Sequence, residues 1–273
     1  MRRQLFAYTR QIVSQYAHSR QTIVTEPSTA EGALDVAVWR RQAGAAEATV
    51  GVDLHEAGAA PASTPPVRIA VINDDPAALA RARPIFTPFV AAESAAEADF
   101  VWDARSKDVI VASDIIARNV ELDDLPGIVD RVRALADLAV LSERRTQIIG
   151  LNPDSRLHRR GDVLELEARD VQGRYAVIFN LASNGLVQLL YPLPGDPARV
   201  DAPSWHFKVS VGEPFGSDTV VALVADEPLT ALGSEIAGLN DRRAAGRVAQ
   251  IVRTYLSQIP SMRLGFASLF TAP

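Results

Sequence analysis

Between residues 74 and 114, carboxylates collect at the ends of apolar runs. Asp74 and Asp75 follow VRIAVIN, Asp99 and Asp103 bracket FVW, and Asp114 follows VIVAS. Hard oxygen ligands at neighbouring strand ends are a way to hold a divalent cation such as Mg²⁺. Asp74, Asp75 and Asp103 are therefore the metal-ligand candidates, and with a cation they would make an enzyme of unassigned type. A plainer reading competes with this one. Asp74 stands where a helix N-cap belongs, with Pro76 in the first turn, and Asp103 and Asp108 flank a tight turn between two strands. The local roles account for the same residues without a metal.

Other chemistry is poorly represented. The four histidines, His18, His55, His158 and His206, are far apart and form no metal-binding spacing. His206 lies on the polar side of SWHFKVS, His18 follows an amphipathic run, and His55 sits in a small-residue stretch, so each is expected at the surface. There is no cysteine, which removes disulfides, thiolate metal sites and a cysteine nucleophile from this chain. No glycine-rich nucleotide motif and no GxSxG occurs, so no catalytic residue and no cofactor site is assigned. Trp39, Trp102 and Trp205 each fall inside an apolar run, where core packing is the default role.

Composition narrows the partners. Hydrophobic residues are 48% of 273, enough to bury real cores, while the net charge is −5 and the arginine pairs are scattered. That distribution lacks the basic stripe a nucleic-acid surface requires, so no nucleic-acid partner is expected. No apolar run reaches the ~20 residues of a membrane span. The basic start MRRQLF lacks the apolar stretch and cleavage site of a signal peptide, which leaves cytoplasm and periplasm both open.

The elements that would position these residues fall in a clear order. Leu5, Tyr8, Ile12, Val13 and Tyr16 share a helical face, and TIVTEP and ALDVAVWRR read as extended. Residues 43–66 are rich in Ala, Gly, Pro, Ser and Thr and read as a mobile linker with one short strand at 49–54. Residues 67–147 read as a small α/β domain: a strand at 67–73, a helix from 74 to Pro84, a strand pair at 99–113, a short helix or turn at 114–120, and a long helix at 125–145. The stripe Ile128, Val132, Leu135, Leu138 and Leu141 supports that last helix.

Residues 148–273 read as a β-sandwich-like domain with a helix at 244–258 and a closing strand at 263–271. Apolar alternation recurs across four runs between Gly161 and Asp226, and Asn184-Gly185 marks a hairpin. The alternation nominates Leu164, Leu166, Val177, Phe179, Leu189, Trp205, Phe207, Val209, Val221 and Leu223 for the core. The fold class is accordingly α+β: a small α/β layered domain followed by an antiparallel β-sandwich.

The same residues carry a resemblance. Gly161-Asp162, Tyr175, Asn184-Gly185, Leu190-Tyr191-Pro192, Pro214-Phe215-Gly216 and the strand Val220–Asp226 with Pro228 form a pattern. It resembles a bacterial domain of unknown function that commonly follows caspase-like (metacaspase or orthocaspase, peptidase C14-type) domains. The match covers about residues 155–230. Residues 1–42 look like the end of a caspase-like small-subunit region. The family's His and Cys dyad has no counterpart here, so the resemblance implies a non-catalytic accessory module. Its partner would be a protein, either the peptidase domain or its substrate, and its role recruitment or regulation. A metal-dependent enzyme using Asp74 and Asp103 and a purely structural or assembly domain are the alternatives.

Overall fold

The computed structural model describes residues 65–143, 145–155 and 157–273. The expected helix at 3–17, the extended segments before residue 42, Trp39, His18, His55 and nearly all of the expected linker lie outside those residues. Residues 66–111 and 115–273 cluster as one compact unit.

A five-stranded sheet comes first. Its strands are β1 (Val67–Ile72), β2 (Phe89–Ala91), β3 (Phe100–Asp103), β4 (Asp108–Val111) and β5 (Asp114–Ala117), in the order β2-β1-β3-β4-β5. β1 runs parallel to both β2 and β3, and β3 and β4 form the expected antiparallel pair. Three details differ from the expectation. The helix begun by the aspartates is one 3₁₀ segment, Pro76–Arg81, and its N-cap is Asp75, not Asp74. Only Ala78 and Leu79 are buried in it; so small an apolar contact supports a short 3₁₀ piece and not a longer α-helix. Residues 114–117, expected as helix or turn, are strand β5. Ile116 and Ala117 are buried there, and adjacent β-branched residues favour the pleated surface.

Helix α1 (Leu125–Ser142) follows a 3₁₀ turn at Leu122–Asp124, with Pro126 in its first turn. It serves two cores. Leu125, Ile128 and Val129 pack with Ile69, Phe100, Trp102 and Val109 of the five-stranded sheet. Ala134 and Leu138, one to two turns on, pack with Phe179, Val221, Leu223, Val248 and Val252.

The second core lies on one face of a larger sheet. Its strands are β7 (Leu157–Arg159), β9 (Arg174–Leu181), β10 (Leu186–Tyr191), β13 (Ser217–Ala225), β14 (Arg242–Arg243) and β15 (Arg263–Ala272), ordered β14-β10-β9-β13-β15-β7, with β11 (Arg199–Val200) pairing β9. Helix α3 (Ala245–Gln258) covers this face with Val248, Ile251 and Val252, as its helical spacing predicts, together with α2 (Thr230–Ala237), which contributes Leu232 and Ile236. β7 joins β15 in parallel, the exception in an otherwise antiparallel sheet.

Period-2 alternation sends the even residues of β13 to the opposite face. There Val220, Ala222 and Val224 meet Leu164, Leu166, Ala168 and Trp205 in a third core. The latter four belong to a three-stranded antiparallel sheet of β6 (Ile149–Asn152), β8 (Val163–Arg169) and β12 (Ser204–Ser210), ordered β12-β8-β6. The described fold is thus mixed α+β, mostly strands in three sheets. Leu164, Leu166, Val177, Phe179, Trp205, Val221 and Leu223 are buried as expected, while Leu189, Phe207 and Val209 are only partly covered. Phe207 and Val209 lie on β12, which pairs with β8 alone, and Leu189 lies on β10, whose outer neighbour β14 is two residues long.

Candidate functional site

The acidic strand ends are occupied by local hydrogen bonds. Asp74 Oδ1 accepts the Asp75 N–H at 2.8 Å, and Asp75 Oδ1 accepts the Ala77 N–H at 2.9 Å. Asp99 Oδ2 accepts the Arg68 N–H at 2.8 Å. Asp103 Oδ1 accepts from Asn73 Nδ2 at 2.8 Å and from the N–H groups of Arg105 and Ser106 at 3.0 and 3.4 Å. Partial burial works against the Asp103 charge, but these donors outweigh it and hold its carboxyl below the ordinary carboxylate value. Asp75 caps a 3₁₀ turn and Asp103 closes the β3–β4 turn. Among the described residues no group of three His, Asp or Glu side chains is placed to hold a metal ion.

The strongest electrostatic perturbation sits elsewhere. Arg131, on α1, is 2% exposed. Its Nε donates to Leu181 O at 3.3 Å, and its Nη2 donates to Ser217 O and to Thr219 Oγ1 at 3.4 Å. Asp218, on β13, supplies the countercharge and accepts the Ser183 N–H at 2.9 Å. Burial pushes the Asp218 carboxyl up to about 6, against the pull of Arg131, the Ser183 N–H and the Asn180 amide. Burial likewise lowers Arg131 to about 10. For each group burial is the largest influence and outweighs the attraction of its partner. The arrangement ties α1 to the β9–β10 turn and to the start of β13. Close backbone approach there requires glycine: a Cβ on Gly216 (φ 144°) would lie 2.4 Å from Ile116 O. In the primary structure the one signal for Arg131 is an arginine within an apolar helical run, and Asp218 carries none.

Asp130, next along α1, is also buried and anchors a loop. Its Oδ1 accepts the Thr87 N–H at 2.7 Å, and burial raises its carboxyl above the ordinary value despite that bond. The loop it holds leaves Ile85 and Phe86 largely exposed.

The edges of the sheets differ. One side of the larger sheet is closed by residues 240–243: Arg243 pairs with Leu186, the Asp241 N–H donates to Val187 O at 2.8 Å, and Asn240 Oδ1 accepts the Leu189 N–H at 2.7 Å. On the other side Leu264 exchanges backbone hydrogen bonds with Arg145 and Gln147, and β7 takes Phe270–Ala272. β12 is different. All seven of its residues pair with β8, and among the described residues no strand lies on its other side. The Val211 N–H donates to Asp162 O at 2.9 Å, which fixes the parity of the ladder. Trp205, Phe207 and Val209 then exchange bonds with β8, and His206 and Lys208 direct their N–H and C=O groups outward.

The side chains of β12 split the same way. Trp205 stacks on Phe207 at 5.6 Å between ring centroids and meets Tyr191 edge-on at 5.7 Å, all on the inner face. His206 is on the solvent face as expected, 3.2 Å from Glu165. Lys208 is exposed and forms no ion pair among the described residues. Trp102 and Trp205 are core residues. His158, on β7, is 1% exposed, and its Nε2 has no hydrogen-bond partner among the described residues.

No protein-family model matches the chain, and no curated protein is significantly similar to it.

Proposed function

We propose that this chain is a non-catalytic interaction module that binds a protein partner by adding an extended segment of that partner to the open edge of β12. The single observation that carries this reading is the contrast of edges. β12 offers a seven-residue ladder with no strand on its outward side among the described residues, while both sides of the larger sheet are occupied. An added strand gains main-chain hydrogen bonds from such an edge and selectivity from its flanking side chains. The packing of β6, β8 and β12 over one face of the larger sheet supports reading this part as the β-sandwich of an accessory domain. The resemblance of residues 155–230 supports a caspase-like peptidase context, whose peptidase domain or substrate would be the partner.

The test is a display library of extended ten-residue peptides selected on the intact chain, with binders re-measured against Lys208→Pro. Proline at 208 removes an outward N–H while sparing the bonds to β8. Binding should fall at least tenfold in the variant. Binders that ignore the proline, or that shift amide resonances away from β12, would overturn the proposal. The accessory reading also expects no turnover of Arg- or Lys-directed peptide substrates, with or without Ca²⁺; cleavage that survives repurification would sink it.

A further inference from the structure

The geometry points to the chemistry of that segment: we infer that β12 accepts a strand whose residues alternate between apolar and acidic. The inference rests on the strand-addition reading above and adds to it the character of the partner.

An added strand lies about 4.8 Å from β12 and about 9.6 Å from β8. Its outward side chains therefore stand directly beside those of His206 and Lys208. Both can carry positive charge, and Lys208 has no carboxylate partner among the described residues. The acids of β8 stand across the ladder, Glu165 opposite Lys208 and Glu167 opposite His206, and both are already engaged. Glu165 lies against His206 at 3.2 Å, and Glu167 accepts from Arg169 at 2.9 Å. They lie farther from an added strand than Lys208 and His206 do, so the nearest basic side chains set the preference. On the inner side the new strand would extend the row Trp205, Phe207 and Val209, of which Phe207 and Val209 are only partly covered. That side asks for apolar residues at every second position.

A second copy of this chain does not meet the requirement. Antiparallel pairing of two β12 strands about Phe207 would set His206 of one against Lys208 of the other, twice over, and would bring neither lysine a new carboxylate. Like charges directly opposite are unfavourable. We take the occupant to be a segment of a different protein.

The experiment uses the intact chain and three ten-residue peptides sharing valine at alternate positions, with Glu, Gln or Lys at the others, measured by fluorescence anisotropy at low and high salt. The Glu peptide should bind roughly tenfold more tightly than the Lys peptide, with Gln between, the effect of about two swapped cross-strand pairs. High salt should shrink the ratio, and Lys208→Glu should remove or reverse it. Equal affinity of the Glu and Lys peptides, with binding still abolished by Lys208→Pro, would overturn the acidic preference and leave strand addition standing. An unchanged ratio in Lys208→Glu would also overturn it. Binding by none of the three would count against both.

Discussion

The seven-stranded and three-stranded sheets are built from the same alternating sequence pattern but serve different ends. The larger sheet is covered on one face by α1, α2 and α3 and on the other by β6, β8 and β12. Its edges are closed by short chain segments. In the smaller sheet one face and the β12 edge are uncovered among the described residues, and the charged side chains on that face are His206, Lys208, Glu165, Glu167 and Arg169. Strands protected on all sides can lose little without loss of the fold. A strand held from one side only can change its outward residues at small cost, and that freedom is what a recognition surface needs.

The sharpest way to break this contrast is at the protected end. Phe179→Ala removes a side chain with 0% exposure and should cost about 3–5 kcal/mol in urea unfolding. Arg131→Met should cost a similar ~3–5 kcal/mol, because it takes the countercharge from buried Asp218 and removes the side-chain donor to Ser217 O. If either were nearly neutral, the larger sheet would not be the stability centre. Gly216→Ala should lose at least about 1–3 kcal/mol, from the positive φ and the clash with Ile116 O.

The next test uses pH. The Asp218 carboxyl sits near 6 in the fold and near 3.8 in the unfolded chain, so the folded state holds the proton more tightly. Its contribution is fully present below about 3.8 and is lost as pH rises through about 6. Between pH 4 and 7 wild type should lose roughly 1–3 kcal/mol relative to Asp218→Asn, which has no such titration. A difference between the two that stays flat over that range would show that the carboxylate is already well solvated. At the open sheet the effects should be smaller. Phe207→Ala should cost about 1–2 kcal/mol, well below Phe179→Ala, because Phe207 is only partly covered. Lys208→Glu should stay within about 0.5 kcal/mol of wild type.

The alternating runs made most of the strands legible, because a two-residue period leaves a direct trace in residue order. Val248, Ile251 and Val252 likewise showed α3. The short elements were less visible. Residues 114–117 are too few to display a period, and α2 follows Pro228 with only two buried residues, Leu232 and Ile236. The acids at 74, 75, 99 and 103 were easy to notice, yet their partners are mainly backbone N–H groups, which no side-chain pattern encodes. Arg131 and Asp218 stand 87 residues apart in a chain with no marker on either. Their meeting is a product of topology, as is the place of β12 at the end of its sheet among the described residues.

Helix α1 also bears on where this protein can be divided. Its first turn belongs to the core of the five-stranded sheet, while Ala134 and Leu138 complete the roof over Phe179, Val221 and Leu223. A cut just after the helix would give it to the N-terminal fragment and uncover an oily floor on the other. Anyone wishing to study the strand-rich part in isolation should carry the helix along with it, since this is shared masonry and not a partition wall.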